Sequence, residues 1–269
     1  MAARTIIIAE IGENHGGDWE LAKRMVRAAA ASGADIVKFQ SYLGSQVKDD
    51  DPEKEWFTKV QLPNEKHFEL KRLAEELNVE FLSSCFSLER ARFLLEELSL
   101  PKVKIASSEL LNLRLLDYVN DRAKVVFISA GMADMNEIRE SLSHLRSVPQ
   151  VYLMQCTTQY PCEAKDANLS VITTFKRSFS NHNVGYSDHT LGIRACAAAV
   201  ALGAEVIEKH FTTDKNLPGT DHVLSADPAE FKTMVEEIRN VEVLLGSSEK
   251  QPTAAEQSIR DFVRARFPK

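Results

Sequence analysis

Short runs of apolar residues recur along the chain, each closed by a polar residue and each separated from the next by an amphipathic stretch. The runs are TIIIAE ending at Glu10, DIVKFQ at Gln40, VEFLSS at Ser84, KVKIAS at Ser107, KVVFIS at Ser129, VYLMQC at Cys156, VGYS at Ser187 and AEVIEKH at His210. Their length and bulky apolar content predict strands covered on both faces, as in a parallel sheet. Helical spacing of apolar residues fills the intervals, for instance over residues 19–33, 64–78, 88–98, 135–146 and 190–203, and several of these segments end on the Gly or Asn expected after a helix. Eight strands alternating with helices, and no GxGxxG after the first strand, favour a closed (β/α)8 TIM barrel over an open Rossmann or flavodoxin-like sheet. At 269 residues the chain has the length of one such barrel, so residues 1–269 are read as one domain.

Successive strands of a parallel unit point the same way, so the polar residues that end them gather at one mouth. This brings together Glu10, Lys38 with Gln40, Ser84, Lys104 with Ser107 and Glu109, Ser129, Gln155 with Tyr160, Ser187 with His189, and Glu208 with His210. Strand ends are often polar, which accounts for a lone serine. It does not account for Lys38 and Lys104, which interrupt apolar runs where a charge costs several kcal/mol unless it is paired or serves a ligand. Two lysines, several hydroxyls and the SAGM turn at Ser129 suit a phosphate or carboxylate. His189 and His210, just past the seventh and eighth strands, suit a divalent metal beside that anion, a phosphate contact or an acid–base pair. Glu10 is placed to anchor a substrate hydroxyl or relay a proton, and Glu208 to steady a lysine or a water. One connection, residues 42–63, is longer than the others and carries Trp56 and Phe57 among acids. It reads as a solvated loop or as a lid.

A formal charge of −6 and the absence of a lysine or arginine block argue against a nucleic-acid surface, while leaving a local basic pocket open. With 44% hydrophobic residues the chain has ample material for a core. No apolar window approaches the ~18 residues of a membrane span, and the first ten residues do not form a signal peptide. Cys85, Cys156, Cys162 and Cys196 form no CxxC pair and fall in or beside buried runs, so reduced thiols in a cytoplasmic protein are expected.

Seven motifs in order, AEIGENHGG, VKFQ, KIASSE, SAGM, CTTQYP, GYSDHT and EKHFT followed by PGTDH, resemble the N-acetylneuraminate (sialic acid) synthase family. The resemblance runs through nearly the whole chain, to KQPTAAE. It implies a β/α barrel enzyme that condenses phosphoenolpyruvate with an N-acetylated amino sugar, such as N-acetylmannosamine or another acetamido sugar, and releases phosphate. It also implies a divalent cofactor, Mn²⁺ first, with Mg²⁺ or Co²⁺ as alternatives. By motif, His189 and His210 match metal ligands. Lys38, Lys104, Ser107, Ser129 and Ser187 match positions around phosphoenolpyruvate, as does Ser84, where a threonine is common. Glu10, Gln40, Glu109, Tyr160 and Asp221 match residues near the metal, its water or the acceptor.

Family members usually continue into a C-terminal antifreeze-like domain, which reaches across a homodimer to the acceptor. This sequence ends at FVRARFPK, and Thr158 stands where an asparagine is common. The resemblance therefore bears more firmly on the metal and phosphoenolpyruvate than on the acceptor. A Schiff-base aldolase using a barrel lysine, and a non-catalytic phosphoenolpyruvate-binding homologue, are the competing expectations.

Overall fold

The apolar runs have two faces to cover, and a barrel covers one against itself and the other against helices. In the computed structural model, which describes residues 4–267, the strands are β1 (Ile6–Gly12), β2 (Ile36–Ser41), β3 (Glu80–Cys85), β4 (Lys102–Ile105), β5 (Val125–Ser129), β6 (Gln150–Cys156), β7 (Asn183–Asp188) and β8 (Val206–His210). They are parallel and close in chain order, with β1 paired to both β2 and β8. Closure leaves no open edge, which sets aside the doubly wound alternative. The fourth run is shorter than its sequence suggests: β4 stops at Ile105, and Ser107 falls in a short 3-10 turn, Ser107–Glu109.

Helices form the outer layer. In α1 (Trp19–Ala31) the side chain of Asp18 accepts from the N–H groups of Glu20 and Leu21, capping the first turn. Its Ala22, Met25, Val26 and Ala29 recur at helical spacing and are buried. The long connection contains α2 (Lys54–Val60) and leads into α3 (Asn64–Glu76). The layer continues with α4 (Leu88–Arg92), extended by a π turn over Phe93–Glu97, and with α5 (Leu113–Asn120), α6 (Met135–Ser143), α7 (Val171–Ser178), α8 (Arg194–Ala201) and α9 (Pro228–Leu245). A last, exposed helix, α10 (Ala254–Arg264), follows. Among the described residues no helix is long and apolar enough to cross a membrane. All four cysteines are free and buried.

Alternation along the strands sorts side chains into an inner and an outer set. The inner set is layered by height. Ile8, Ile36, Leu82, Phe127, Met154 and Val206 form an apolar plug, with Tyr152 stacked on Phe127. Two residues further along the same strands stand Glu10, Lys38, Ser84, Ser129, Cys156 and Glu208, which line a cavity above the plug. The chain thus changes from apolar to polar at one level around the barrel.

The outer set contains one fully buried ion pair. Lys209 Nζ lies 2.8 Å from Asp188 Oδ2, and both side chains are inaccessible to solvent. Tyr186 donates its hydroxyl to Asp188 Oδ1 at 2.9 Å, and Cys196 on α8 donates its thiol to Oδ2 at 3.4 Å. Burial would raise the Asp188 carboxyl, but the Lys209 ammonium and the hydrogen bonds from Thr190 outweigh it and hold the group below its ordinary range. Lys209→Met strands the Asp188 charge and is expected to cost about 3–5 kcal/mol in urea unfolding, while Lys209→Met with Asp188→Leu recovers most of it. A single variant as stable as the parent would show that the pair is not holding β7 and β8 together.

Candidate active site

The cavity at the C-terminal mouth of the barrel has a volume of about 470 Å³. Its floor is a buried network of charges contributed by four strands. Lys38 on β2 lies 2.8 Å from Glu10 on β1 and 3.6 Å from Glu208 on β8, and it donates to Ser84 on β3 at 3.1 Å. Lys104 on β4 reaches across the barrel to both oxygens of Glu208, at 2.9 Å each, and Ser187 on β7 donates to Glu208 at 3.0 Å. All four charged side chains are nearly inaccessible to solvent. The lysines that interrupt apolar strands are therefore paired, and each pairing crosses strands.

The two carboxyls of this network are pushed in opposite directions. Burial would raise Glu208, but Lys104 and Lys38 outweigh it and hold the group well below the carboxylate range. At Glu10 burial outweighs Lys38, and the nearby Glu208 charge adds to the rise. For Lys38 burial opposes the charge, yet Glu10 and Glu208 prevail and raise its pKa. Lys104 goes the other way, lowered by burial against the pull of Glu208. Glu10 is thus the group suited to carrying a proton, and Glu208 the fixed anion.

Above the charges stand the histidines, their ring centroids 5.3 Å apart. His189 Nδ1 lies 2.8 Å from the Thr157 carbonyl, an arrangement that puts the proton on Nδ1 and leaves Nε2 with its lone pair. His210 Nδ1 is 3.3 Å from Asp221 Oδ2 and has no hydrogen-bond partner. Burial lowers His189 to about 4, with His210 adding, and lowers His210 to about 3, with Lys38 adding. Both imidazoles are neutral near pH 7, the state a metal requires. Among the described residues no three His, Cys, Asp or Glu side chains form a ready metal cage. The arrangement fits an ion held by two imidazoles, with the orphaned Glu10 Oε2 nearby and remaining positions left to water or substrate oxygens.

The cavity brings together the predicted residues Glu10, Lys38, Gln40, Ser84, Lys104, Ser107, Ser129, Tyr160, Ser187, His189, Glu208, His210 and Asp221. Tyr160 lies against His189 at a centroid distance of 4.1 Å, and Gln40 donates to Glu10 at 3.3 Å. The Ser129 hydroxyl is buried without a partner. Gln155 and Glu109 are the exceptions. Gln155 donates to the Ala167 carbonyl at 3.2 Å and does not line the cavity. The Glu109 carboxylate accepts from the Asn112 side chain at 2.8 Å and does not line the cavity either, because β4 ends early and Glu109 falls in the turn after it. Gly131 is required by close packing, since a Cβ there would meet Thr158 Oγ1 at 2.3 Å and Ser107 Oγ at 2.7 Å.

The long connection of residues 42–63 reaches the cavity. Phe57 and Glu53 line the cavity, and Trp56 Nε1 donates to Glu13 Oε2 at 2.7 Å. Glu13, in the turn after β1, also lines it. Burial, opposed by hydrogen bonds from Tyr42 and Trp56 and reinforced by Asp221 and Glu53, raises the Glu13 carboxyl to about 7. Sequence reasoning did not single out Glu13, Glu53 or Phe86, because none of them ends a strand.

A closed β/α barrel with paired lysines and twin imidazoles at its C-terminal mouth defines a barrel enzyme site for an anionic small molecule. The chain belongs to the NeuB family, which matches residues 25–250. It is 40% identical to the N,N'-diacetyllegionaminic acid synthase of Legionella pneumophila, an alignment covering 96% of this chain and 78% of that one. It is 36% identical to human N-acetylneuraminate-9-phosphate synthase over 95% of this chain and 75% of that protein. Among solved structures, the N-acetylneuraminic acid synthetase of Leptospira borgpetersenii, in complex with citrate, superposes with a TM-score of 0.93 at 34% identity, covering 99% of this chain and 93% of that one.

Proposed function

We propose that this chain condenses phosphoenolpyruvate with an N-acetylated amino sugar, N-acetylmannosamine or a related acetamido aldose, to give a nonulosonic acid and phosphate, with Mn²⁺ as the leading metal. The observation that carries this reading is the convergence of Lys38, Lys104, His189 and His210 on one cavity in a chain of the NeuB family. His189 and His210 would hold a divalent ion, which would supply Lewis-acid polarisation of the acceptor aldehyde.

The remaining steps belong to the protein. Lys38 and Lys104 hold the anionic donor with the free Ser129 hydroxyl, and they fix C3 of the enol ether against the acceptor carbonyl carbon. As the C3–C1 bond forms, the aldehyde oxygen takes a proton, for which the raised Glu10 carboxyl is suited. Positive charge then develops at C2 of the donor, water adds there and returns a proton to the Glu10 carboxylate, and the C2–O bond to phosphate breaks, the hydroxyl proton leaving with the phosphate, to give the keto acid. Glu208, fixed as an anion beneath both lysines, keeps their ammonium groups oriented without leaving the site. The same pairing disfavours a Schiff-base aldolase, since Lys104 Nζ is engaged by both oxygens of one carboxylate.

The test is phosphate release from phosphoenolpyruvate in the presence of Mn²⁺ and a panel of acetamido aldoses. Release dependent on one of the sugars is expected. Binding of phosphoenolpyruvate with no release for any sugar would favour the non-catalytic homologue, and trapping of Lys38 or Lys104 by borohydride with a keto substrate would favour the aldolase.

A further inference from the structure

Relatives of this chain carry names both with and without a phosphate on the product sugar, so family membership leaves the charge of the acceptor open. The shape of the cavity orders the question. A six-carbon acceptor has to bring its aldehyde carbon to the histidines and the donor, which turns its far end toward the mouth. The groups lining the mouth then meet whatever that end carries.

We infer that the mouth selects an acceptor whose far end is uncharged and rejects its phosphate ester, because Glu13 and Glu53 make the wall acidic while every lining cation lies at the floor. This rests on the condensation reading above and adds to it the charge class of the acceptor. Among the described residues that line the cavity the cations are Lys38 and Lys104 alone, both buried and both already paired with carboxylates. Lys59 sits 5.5 Å from the Trp56 ring but does not line the cavity. Glu53 lines the mouth from an exposed position in the long connection, just before α2. Glu13 has one oxygen engaged by Trp56, and the Tyr42 hydroxyl faces the same carboxyl group. A carboxylate in the lining is an unfavourable neighbour for a phosphate. Phe57 and Thr220, which also line the wall, add no charge to offset it.

The experiment compares N-acetylmannosamine with its 6-phosphate as acceptor, at saturating phosphoenolpyruvate and Mn²⁺, at pH 8 and low ionic strength, with phosphate release as readout. The free sugar is expected to show a kcat/KM at least tenfold higher, and the gap is expected to narrow at least threefold in Glu53→Gln, in Glu13→Gln, or when salt is added. Glu13→Gln keeps an acceptor for Trp56, so it changes charge with little change of shape. A gap below tenfold overturns the inference. So does a larger gap that neither variant nor salt narrows, which would assign the selectivity to shape. Release with neither sugar, while another acetamido aldose is turned over, moves the same comparison to that sugar and its terminal phosphate. Release with no sugar at all overturns the condensation reading, and the inference with it.

Discussion

Replacing Lys104 with methionine is expected to lower kcat/KM for phosphoenolpyruvate by about three orders of magnitude, or roughly 4 kcal/mol, and to destabilise the fold at the same time. Two effects are superposed in that variant. Lys104 donates to both oxygens of Glu208, so removing it leaves a carboxylate buried with only Lys38, at 3.6 Å, and Ser187 for company. Breaking a buried pair from one side costs about 3–5 kcal/mol. The second variant, Lys104→Met with Glu208→Gln, separates the two. It is expected to regain at least half of the lost unfolding free energy while regaining none of the donor affinity, because the cation that meets the anion is still missing. Calorimetric titration with phosphoenolpyruvate and urea unfolding read the two quantities independently. Donor affinity within about threefold of the parent, a difference below 1 kcal/mol, would remove Lys104 from the donor site and leave it a structural partner of Glu208.

The double replacement of His189 and His210 by alanine is expected to abolish stoichiometric Mn²⁺ binding and to lower turnover at least ten-thousandfold, about 5 kcal/mol. Both imidazoles are neutral in the fold, so their loss strands no charge. Far-ultraviolet circular dichroism should therefore match the parent. His189→Ala alone should weaken Mn²⁺ less than the double variant, because His210 and the nearby carboxylates remain. One equivalent of Mn²⁺ bound by the double variant with unchanged affinity would show that the ion, if the enzyme uses one, is held elsewhere.

The barrel could be read from the chain because its strands have two faces to bury. A run such as KVVFIS has few alternatives to a central parallel strand, and eight such runs in alternation with helices leave little freedom. The members of the site were legible for a related reason: a lysine inside KVKIAS conflicts with its surroundings unless something meets it. Its partner was not legible. That Lys104 reaches Glu208 across the barrel, 104 positions away, depends on closure between β8 and β1. Helix α2 escaped notice because Val60 is its one buried residue, so no apolar stripe marks it. The direction of Glu109 was not legible because it depends on the early end of β4, after which the chain turns and the carboxylate faces Asn112. Glu13 and Glu53 sit in connections, where side-chain direction follows no period and only coordinates reveal it.

The single level at which the barrel interior turns from apolar to polar has a consequence for how the chain tolerates insertions and deletions. Glu10 pairs in register with Lys38 on one side and His210 on the other, Ser84 with Lys104, and Ser187 with Glu208. Deleting one residue from any of these strands shifts its side chains by half a period, so that Ile105 would take the place of Lys104, or Lys209 that of Glu208. Such deletions face an apolar group into the cavity or carry a charged one to the wrong face of its strand. A residue gained or lost in the exposed link between α9 and α10 shifts nothing in the barrel. A library of single-codon deletions should therefore divide sharply, with active clones confined to connections on the outside of the helix layer and none within the eight strands.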